Sequence, residues 1–191
     1  REIRRVLERL APIVEPASVD EFYVDLTGTE RLHKHVPLSQ TAIEIRETVL
    51  EETGIAVSIG GGTSRLIAKL ASKHAKPHRG NTTGVLIVEP GTEQEFLTKL
   101  QLADIPGVGP RFQERLAVRG LRSVSDALAL TQKELVDWLG DRGGRWLYRK
   151  VRGMDSAPVE LQTVSKSMSH ERTFRSDLHD ESAIDMELQR L

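Results

Sequence analysis

Apolar residues recur at two different spacings along this chain, and the spacing separates predicted helices from predicted strands. Ile3, Val6, Leu7 and Leu10 follow the spacing of an amphipathic helix over residues 2–10. Further predicted helices cover residues 39–53 and 65–74. Short runs rich in β-branched and aromatic residues predict strands instead, and these begin at Ser18 (SVDEFYVDLT) or cover residues 55–59 and 85–88. Helices alternating with strands predict helices packed on a sheet.

The second half of the chain has a different texture. Between about 93 and 152 the pattern indicates only short helices, separated by glycines. Residues 155–163 are typical of a linker, SKSMSHERTF (165–174) alternates like a strand, and a helical pattern returns from about 181. The predicted fold class is therefore α+β: a sheet with packed helices, followed by a small all-helical part.

Composition narrows the class of protein. Hydrophobic residues make up 38% and charged residues 29%, as in a soluble protein, and the absence of cysteine excludes disulfides and thiolate metal sites. No apolar run approaches the roughly 20 residues needed to span a membrane. The net charge of −1 hides an asymmetry, since residues 101–153 carry 10 Lys/Arg against 6 Asp/Glu. That block is the candidate polyanion-facing surface, although a solvated helical face is the alternative.

Two adjacent carboxylates, Asp20 and Glu21, fall within the first predicted strand. Neighbouring strand residues point to opposite faces, where an acid is costly unless a partner or a cation neutralises it. Mg²⁺ is typically bound through one or two carboxylates plus substrate phosphates. The pair is a candidate metal site, with an ordinary edge or turn feature as the alternative.

Two further segments suit phosphate. GGGTSRLIAKLASKHAKP (60–77) predicts a flexible glycine turn before a helix whose basic residues recur at helical spacing: Arg65, Lys69, Lys73 and Lys76. It lacks the Gly-Lys-Ser/Thr ending of a Walker loop. IPGVG (105–109), with nearby arginines, is typical of a hairpin between two helices that admits a phosphate to the backbone. The alternatives are a solvated basic face and a plain αα-turn.

In this order the segments resemble the Y-family of translesion DNA polymerases, most like the bacterial DNA polymerase IV group. SVDEFYVDLTG is similar to that family's S-[IVL]-D-E-x-Y-x-D motif. GGGTSRLIAKLASKHAKP is similar to a second motif, although Ser64-Arg65 replaces the usual Asn-Lys. IPGVG is similar to the thumb hairpin, and SKSMSHERTF resembles the start of the little finger.

The resemblance implies roles for individual residues. Asp20 and Glu21 match two metal-binding carboxylates that would hold Mg²⁺, two ions in all, with Mn²⁺ as a substitute. Lys76 matches a lysine that contacts the triphosphate of the incoming nucleotide. The implied DNA contacts are Arg65, Lys69, the hairpin residues Ile105, Gly107, Val108 and Gly109, and Lys166 and Arg172.

It also implies an organisation: palm over 1–90, helical thumb with a helix–hairpin–helix over 93–154, linker over 155–165, and the start of the little finger over 166–191. The implied function is template-directed DNA synthesis by two-metal catalysis in a monomeric, cytoplasmic bacterial enzyme of DNA repair, associated with the nucleoid when bound to DNA. Its partners would be primer–template DNA and deoxynucleoside triphosphates, with a sliding clamp as a further candidate and no membrane.

The family's first metal carboxylate, fingers and ribonucleotide-excluding residue are expected before Arg1, so the chain alone is expected to be inactive. One alternative is a non-catalytic DNA-binding accessory that keeps a palm and thumb. A repair or recombination scaffold is another, but it does not account for residues 60–77.

Overall fold

The computed structural model describes residues 1–29, 31, 36–77, 82–161, 169 and 171–190. It divides into two compact units, Arg1–Leu161 and Gln162–Leu191. Helices and two small sheets make up the first unit, which confirms the α+β class. No helix within the described residues is long and apolar enough to cross a membrane.

An antiparallel hairpin follows the first helix, α1 (Glu2–Leu10). Its strands are β1 (Ile13–Pro16) and β2 (Phe22–Asp25), and they place Glu15 opposite Tyr23. The sequence patterns do not predict β1, which ends at Pro16. A proline is compatible with a strand end, because no ladder hydrogen bond from its nitrogen is needed there.

A parallel crossover forms the second sheet. After α2 (Leu38–Thr53), β3 (Ile59–Gly61) pairs with β4 (Val85–Ile87), and α3 (Arg65–His74) connects them. The prediction of a strand over 55–59 is wrong except at its last residue. The carbonyl of Val57 accepts a hydrogen bond from the Arg46 side chain, and the ladder begins where the Ile59 N–H donates to the Gly84 carbonyl.

Glycines at the end of β3 serve close packing. Gly60 and Gly61 belong to the strand, so the predicted flexible turn is wrong there. A Cβ atom at Gly60 would lie 1.9 Å from the backbone nitrogen of Ser72, and one at Gly62 would lie 2.4 Å from Cγ2 of Ile67. The absence of side chains lets β3 and the residue after it lie against α3.

The helical part begins with α4 and contains one 3₁₀ turn. Its elements are α4 (Glu93–Thr98), the 3₁₀ turn (Leu102–Asp104), α5 (Pro110–Ala117), α6 (Val124–Leu128), α7 (Gln132–Leu139) and α8 (Asp141–Val151). Capping boxes start α6 at Ser123 and α7 at Thr131. Gly144 brings α8 against α7, since a Cβ there would lie 2.4 Å from the Val136 nitrogen.

The buried apolar residues form two clusters. The smaller cluster joins α1, α2 and the hairpin, with Val49 fully buried. The larger one runs from α3 into the helical part and includes Ile67, Leu70, Leu97 and Leu147. α3 therefore packs in one continuous core with the helices that follow it.

The second unit contains α9 (Glu181–Leu188), which confirms the helical pattern predicted from about 181. Asp180 caps it by accepting a hydrogen bond from the Ala183 N–H at 3.1 Å. Half of the predicted strand over 165–174 lies outside the described residues, and residues 171–174 have no regular structure.

Candidate active site and nucleic-acid interface

The two predicted metal ligands lie in the turn of the hairpin, just before β2. The N–H groups of Ala17 and Ser18 donate to the Glu21 carbonyl at 2.9 and 3.2 Å. The Ser18 hydroxyl donates to Asp20 Oδ1 at 2.7 Å. Both carboxylates are exposed, so the expectation that they straddle a sheet is wrong. The turn presents them to solvent on a strand-anchored loop, and no buried charge has to be neutralised.

Glu21 already has a cation beside it. The Lys69 ammonium lies 2.6 Å from Glu21 Oε2, and this hydrogen bond raises the pKa of Lys69 against the opposing effect of its partial burial. No group of three or more His, Asp or Glu that could hold a metal is found among the described residues. Asp20 and Glu21 still fit Mg²⁺, because accessible carboxylates combined with substrate phosphates suit this ion. They would supply part of a coordination shell.

The other basic residues of α3 differ in their surroundings. Lys73 donates to Asp104 Oδ1 at 2.7 Å and so ties α3 to the 3₁₀ turn. Lys76 lies two residues beyond the end of α3 and is exposed. Of these two, Lys76 is therefore the one whose charge is open to an incoming anion.

The N-terminus of α3 is occupied by groups from the chain itself. The Ser64 hydroxyl accepts from the Ile67 N–H, and Asp155 Oδ2 accepts from the Leu66 N–H at 3.0 Å. Arg65 forms a two-pronged ion pair with Glu15 at 2.6 and 2.8 Å. No sequence signal linked Arg65 to Glu15, because the two residues lie 50 positions apart.

The helix–hairpin–helix is well formed around Ile105–Gly109. The side chains of Ile105 and Val108 are buried in the core, so any contact with a ligand would come from backbone groups. Gly107 has a φ of +99°, and a Cβ there would lie 2.7 Å from Trp146. Gly109 faces open space. Among the described residues, neither glycine N–H has a protein acceptor.

Four exposed arginines follow this hairpin in the chain. The four are Arg111, Arg115, Arg119 and Arg122. Two of them lie against aromatic rings, Arg115 at 5.8 Å from Phe112 and Arg119 at 5.3 Å from Trp138. Two unbonded glycine N–H groups with cations nearby can hold one phosphate of a nucleic-acid backbone without reading bases.

Not every arginine of residues 101–153 faces solvent. The Arg152 guanidinium donates to the carbonyls of Leu128 and Leu130 at 3.0 and 3.1 Å, which satisfies the end of α6. In the second unit, Arg172 donates to Glu187 and lies 5.5 Å from the Phe174 ring. Lys166 lies outside the described residues.

Two family models match the chain. The impB/mucB/samB family covers residues 1–73, and the thumb domain of DNA polymerase-iota covers residues 103–155. DNA polymerase IV of Caulobacter vibrioides is 37% identical over 188 residues, which is 98% of this chain and 45% of that protein. DNA polymerase IV of Brucella melitensis is 38% identical over 178 residues, 93% of this chain and 38% of that protein. The chain thus spans less than half the length of these relatives.

Solved structures agree. The insertion ternary complex of Dbh DNA polymerase matches with a TM-score of 0.69 and 28% identity, over 83% of this chain and 44% of that one. DinB from Sulfolobus solfataricus matches with a TM-score of 0.67 and 28% identity, over 83% and 45%. These matches confirm the resemblance that the motifs indicated: the chain is similar to Y-family DNA polymerases and, among the curated relatives, to bacterial DNA polymerase IV.

Proposed function

We propose that this chain provides palm and thumb elements of a translesion DNA polymerase, which adds deoxynucleotides to a primer opposite a template. The observation that carries the proposal is the exposed Asp20–Glu21 pair, presented by a hairpin turn with Lys69 beside it. The palm is proposed to cover residues 1–90, the thumb 93–154, the linker 155–165 and the start of the little finger 166–191. The partners would be primer–template DNA and deoxynucleoside triphosphates.

In this proposal each residue has a separate task. Asp20 and Glu21 would hold Mg²⁺ or Mn²⁺, and two such ions, when bound, would activate the attacking 3′-hydroxyl and stabilise the leaving oxygen. Lys76 would bind the triphosphate as a point charge. Once Glu21 no longer pairs with it, Lys69 would contact the nucleic acid or the nucleotide.

The hairpin would hold the duplex. The N–H groups of Gly107 and Gly109 would donate to a phosphate, while the buried Ile105 and Val108 side chains fix the loop. Lys166 and Arg172 would add contacts from the second unit. Contacts of this kind are sequence-independent and salt-dependent, as a polymerase that follows any template requires.

A non-catalytic accessory with the same palm and thumb would have no use for an exposed acidic pair beside a DNA surface, because the pair repels phosphate. The deciding experiment is primer extension by the polymerase that contains this sequence, comparing the unchanged protein with Glu21→Gln. Mg²⁺-dependent extension that is lost in Glu21→Gln supports the proposal. DNA binding without extension in the unchanged protein would favour the accessory.

A further inference from the structure

Arg65 joins three elements of the first unit through an ion pair with Glu15 and a contact with Tyr23. Both nitrogens of the guanidinium fork bind the two carboxylate oxygens, and the side chains are only 23% and 19% exposed. The guanidinium also lies 4.2 Å from the centre of the Tyr23 ring. Since Glu15 belongs to β1 and Tyr23 to β2, Arg65 of α3 contacts both strands of the hairpin whose turn carries Asp20 and Glu21.

The chain that follows α8 returns to the same place. The Pro158 carbonyl accepts a hydrogen bond from Arg65 Nη1 at 2.7 Å, and the Glu160 N–H donates to Glu15 Oε2 at 2.8 Å. Three residues before Pro158, the Asp155 carboxylate accepts a hydrogen bond from the Leu66 N–H at the start of α3. The segment 155–160 is therefore attached at both of its ends.

We infer that Glu15, Arg65 and the first turn of α3 form a docking site for the segment 155–160 of the same chain. The hydrogen bonds of this site reach the backbone at Pro158 and Glu160 and the side chain of Asp155. Arg65 thereby serves to attach the segment after the thumb to the hairpin of the candidate active site, and it does not face DNA.

Charge and burial support this role over nucleic-acid contact. If Arg65 turned toward a phosphate, the Glu15 carboxylate would remain mostly buried with no cation, which is strongly unfavourable. Burial raises the pKa of Glu15, but the hydrogen bonds from Arg65 and from the Glu160 N–H outweigh burial and lower it. The carboxylate is thus held ionised by the same two groups that dock the segment.

Hydrogen exchange of individual backbone amides, measured by NMR on this chain, tests the inference. The Glu160 N–H is bonded to Glu15, whereas the next amide, that of Leu161, has no acceptor among the described residues. In the unchanged protein we expect Glu160 to exchange about tenfold or more below its random-coil rate, as for a charge-assisted hydrogen bond, and Leu161 to exchange near that rate.

Two conservative variants and a control complete the test. Arg65→Lys keeps the charge but loses the fork, and Glu15→Gln keeps the shape but loses the charge, so both should speed Glu160 exchange severalfold while the amide of Leu70 in the core stays slow. Glu160→Gln alters only a side chain that the site does not use and should match the unchanged protein. Equal relative rates at Glu160 and Leu161 in the unchanged protein, or no response to either variant, would overturn the inference. The outcome is independent of polymerase activity.

Discussion

The ammonium nitrogen of Lys69 lies 2.6 Å from a carboxylate oxygen of Glu21, which joins α3 to the turn of the β1–β2 hairpin. The two side chains are 38% and 54% exposed. An ion pair this exposed contributes at most about 1 kcal/mol to the free energy of unfolding. Stability therefore gives little reason for Glu21 to be an acid, and the reason has to be sought in binding or chemistry.

Glu21→Gln should separate these possibilities. We expect its midpoint of thermal unfolding to fall by no more than about 2–4 °C, the shift for about 1 kcal/mol in a protein of this size. Primer extension by the polymerase containing this sequence should be abolished, while its affinity for primer–template DNA is kept or increased. Glu8→Gln removes a comparably exposed ion pair on α1 and should leave both properties unchanged. Undiminished extension in Glu21→Gln would contradict the metal assignment.

The two glycines of the hairpin should respond differently to substitution. Gly109→Val places its side chain in open space at a φ of −79°, so folding should be nearly unaffected. The valine would block a phosphate from the backbone, and the affinity for all DNA sequences should fall about equally, with a smaller dependence on salt. Fluorescence anisotropy at about 50 and about 200 mM salt measures both effects.

Gly107→Val is the matched comparison. It requires a positive φ of +99° and brings its Cβ to 2.7 Å from the Trp146 ring, so the protein itself should be destabilised, by about 1–3 kcal/mol. A Gly109→Val protein that keeps full DNA affinity, or that discriminates between sequences, would show that the hairpin does not bind the phosphate backbone as proposed.

Adjacent glycines in α8 provide a stability test inside one helix. Gly144→Ala would bring a Cβ to 2.4 Å from the backbone nitrogen of Val136 in α7, so the two helices must move apart. Gly143→Ala meets only the Leu139 Cβ at 3.5 Å, an ordinary contact. Urea unfolding should show a loss of about 1–3 kcal/mol or more for the first and a gain of up to about 1 kcal/mol for the second. A similar change for both would mean that α7 and α8 are not this closely packed.

Local pattern and tertiary contact account for what the sequence could and could not predict. Helix α3 is predicted with its observed bounds, because the helical spacing of its residues is a local signal. The strand predicted from residue 55 begins only at Ile59, since β-branched residues signal extended backbone but not where a partner strand lies. The sequence predicts Gly60 to lie in a flexible turn. A glycine is needed there because the backbone of Ser72 comes close, and Ser72 belongs to another element, so the local sequence does not reveal it.

The same distinction applies to the candidate site. Asp20, Glu21 and the Gly107–Gly109 hairpin were identified from contiguous motifs, and the structure places them where a ligand has access. The partner of Arg65 could not be identified, because one arginine in a helical basic stripe is equivalent to the next until the fold selects Glu15 for it.

Acid should abolish the ion pair between Lys73 of α3 and Asp104 of the 3₁₀ turn. Burial raises the pKa of Asp104, but hydrogen bonds from Lys73 and the Gln101 N–H outweigh it and hold the pKa below its usual value. A carboxyl group whose pKa is lowered by folding stabilises the folded protein at pH values above its pKa in the unfolded chain, which is about 4. This contribution is lost as the pH falls through the pKa of the folded state.

Asp104→Asn should therefore cost about 1–2 kcal/mol near pH 7, and the difference from the unchanged protein should shrink steadily below about pH 4. Urea unfolding across this range measures it. Asp137→Asn, which removes an exposed ion pair with Lys133, should cost less than about 0.5 kcal/mol at any pH. A penalty for Asp104→Asn that persists in acid would indicate a packing effect rather than the ionised carboxylate.

Lys76 should act on the nucleotide and not on the DNA. Its exposed side chain lies just beyond α3 and has no carboxylate partner within the part of the chain that the structure describes, so it can meet a triphosphate as a point charge. We expect Lys76→Ala to raise KM for the nucleotide or lower kcat, by an amount corresponding to about 1–3 kcal/mol for one charge-assisted contact. Kd for primer–template DNA should change little.

Lys133→Ala is the control, because it removes one exposed lysine charge from α7, away from the proposed nucleotide contact. Steady-state extension kinetics measured beside an anisotropy titration distinguish the two effects. In the absence of metal, where no extension occurs, Lys69→Ala should weaken nucleotide binding less than Lys76→Ala does, since the Lys69 charge is then already neutralised by Glu21. If Lys76→Ala weakens DNA binding and leaves the nucleotide kinetics unchanged, this lysine contacts the DNA backbone, and the triphosphate must be bound by other residues.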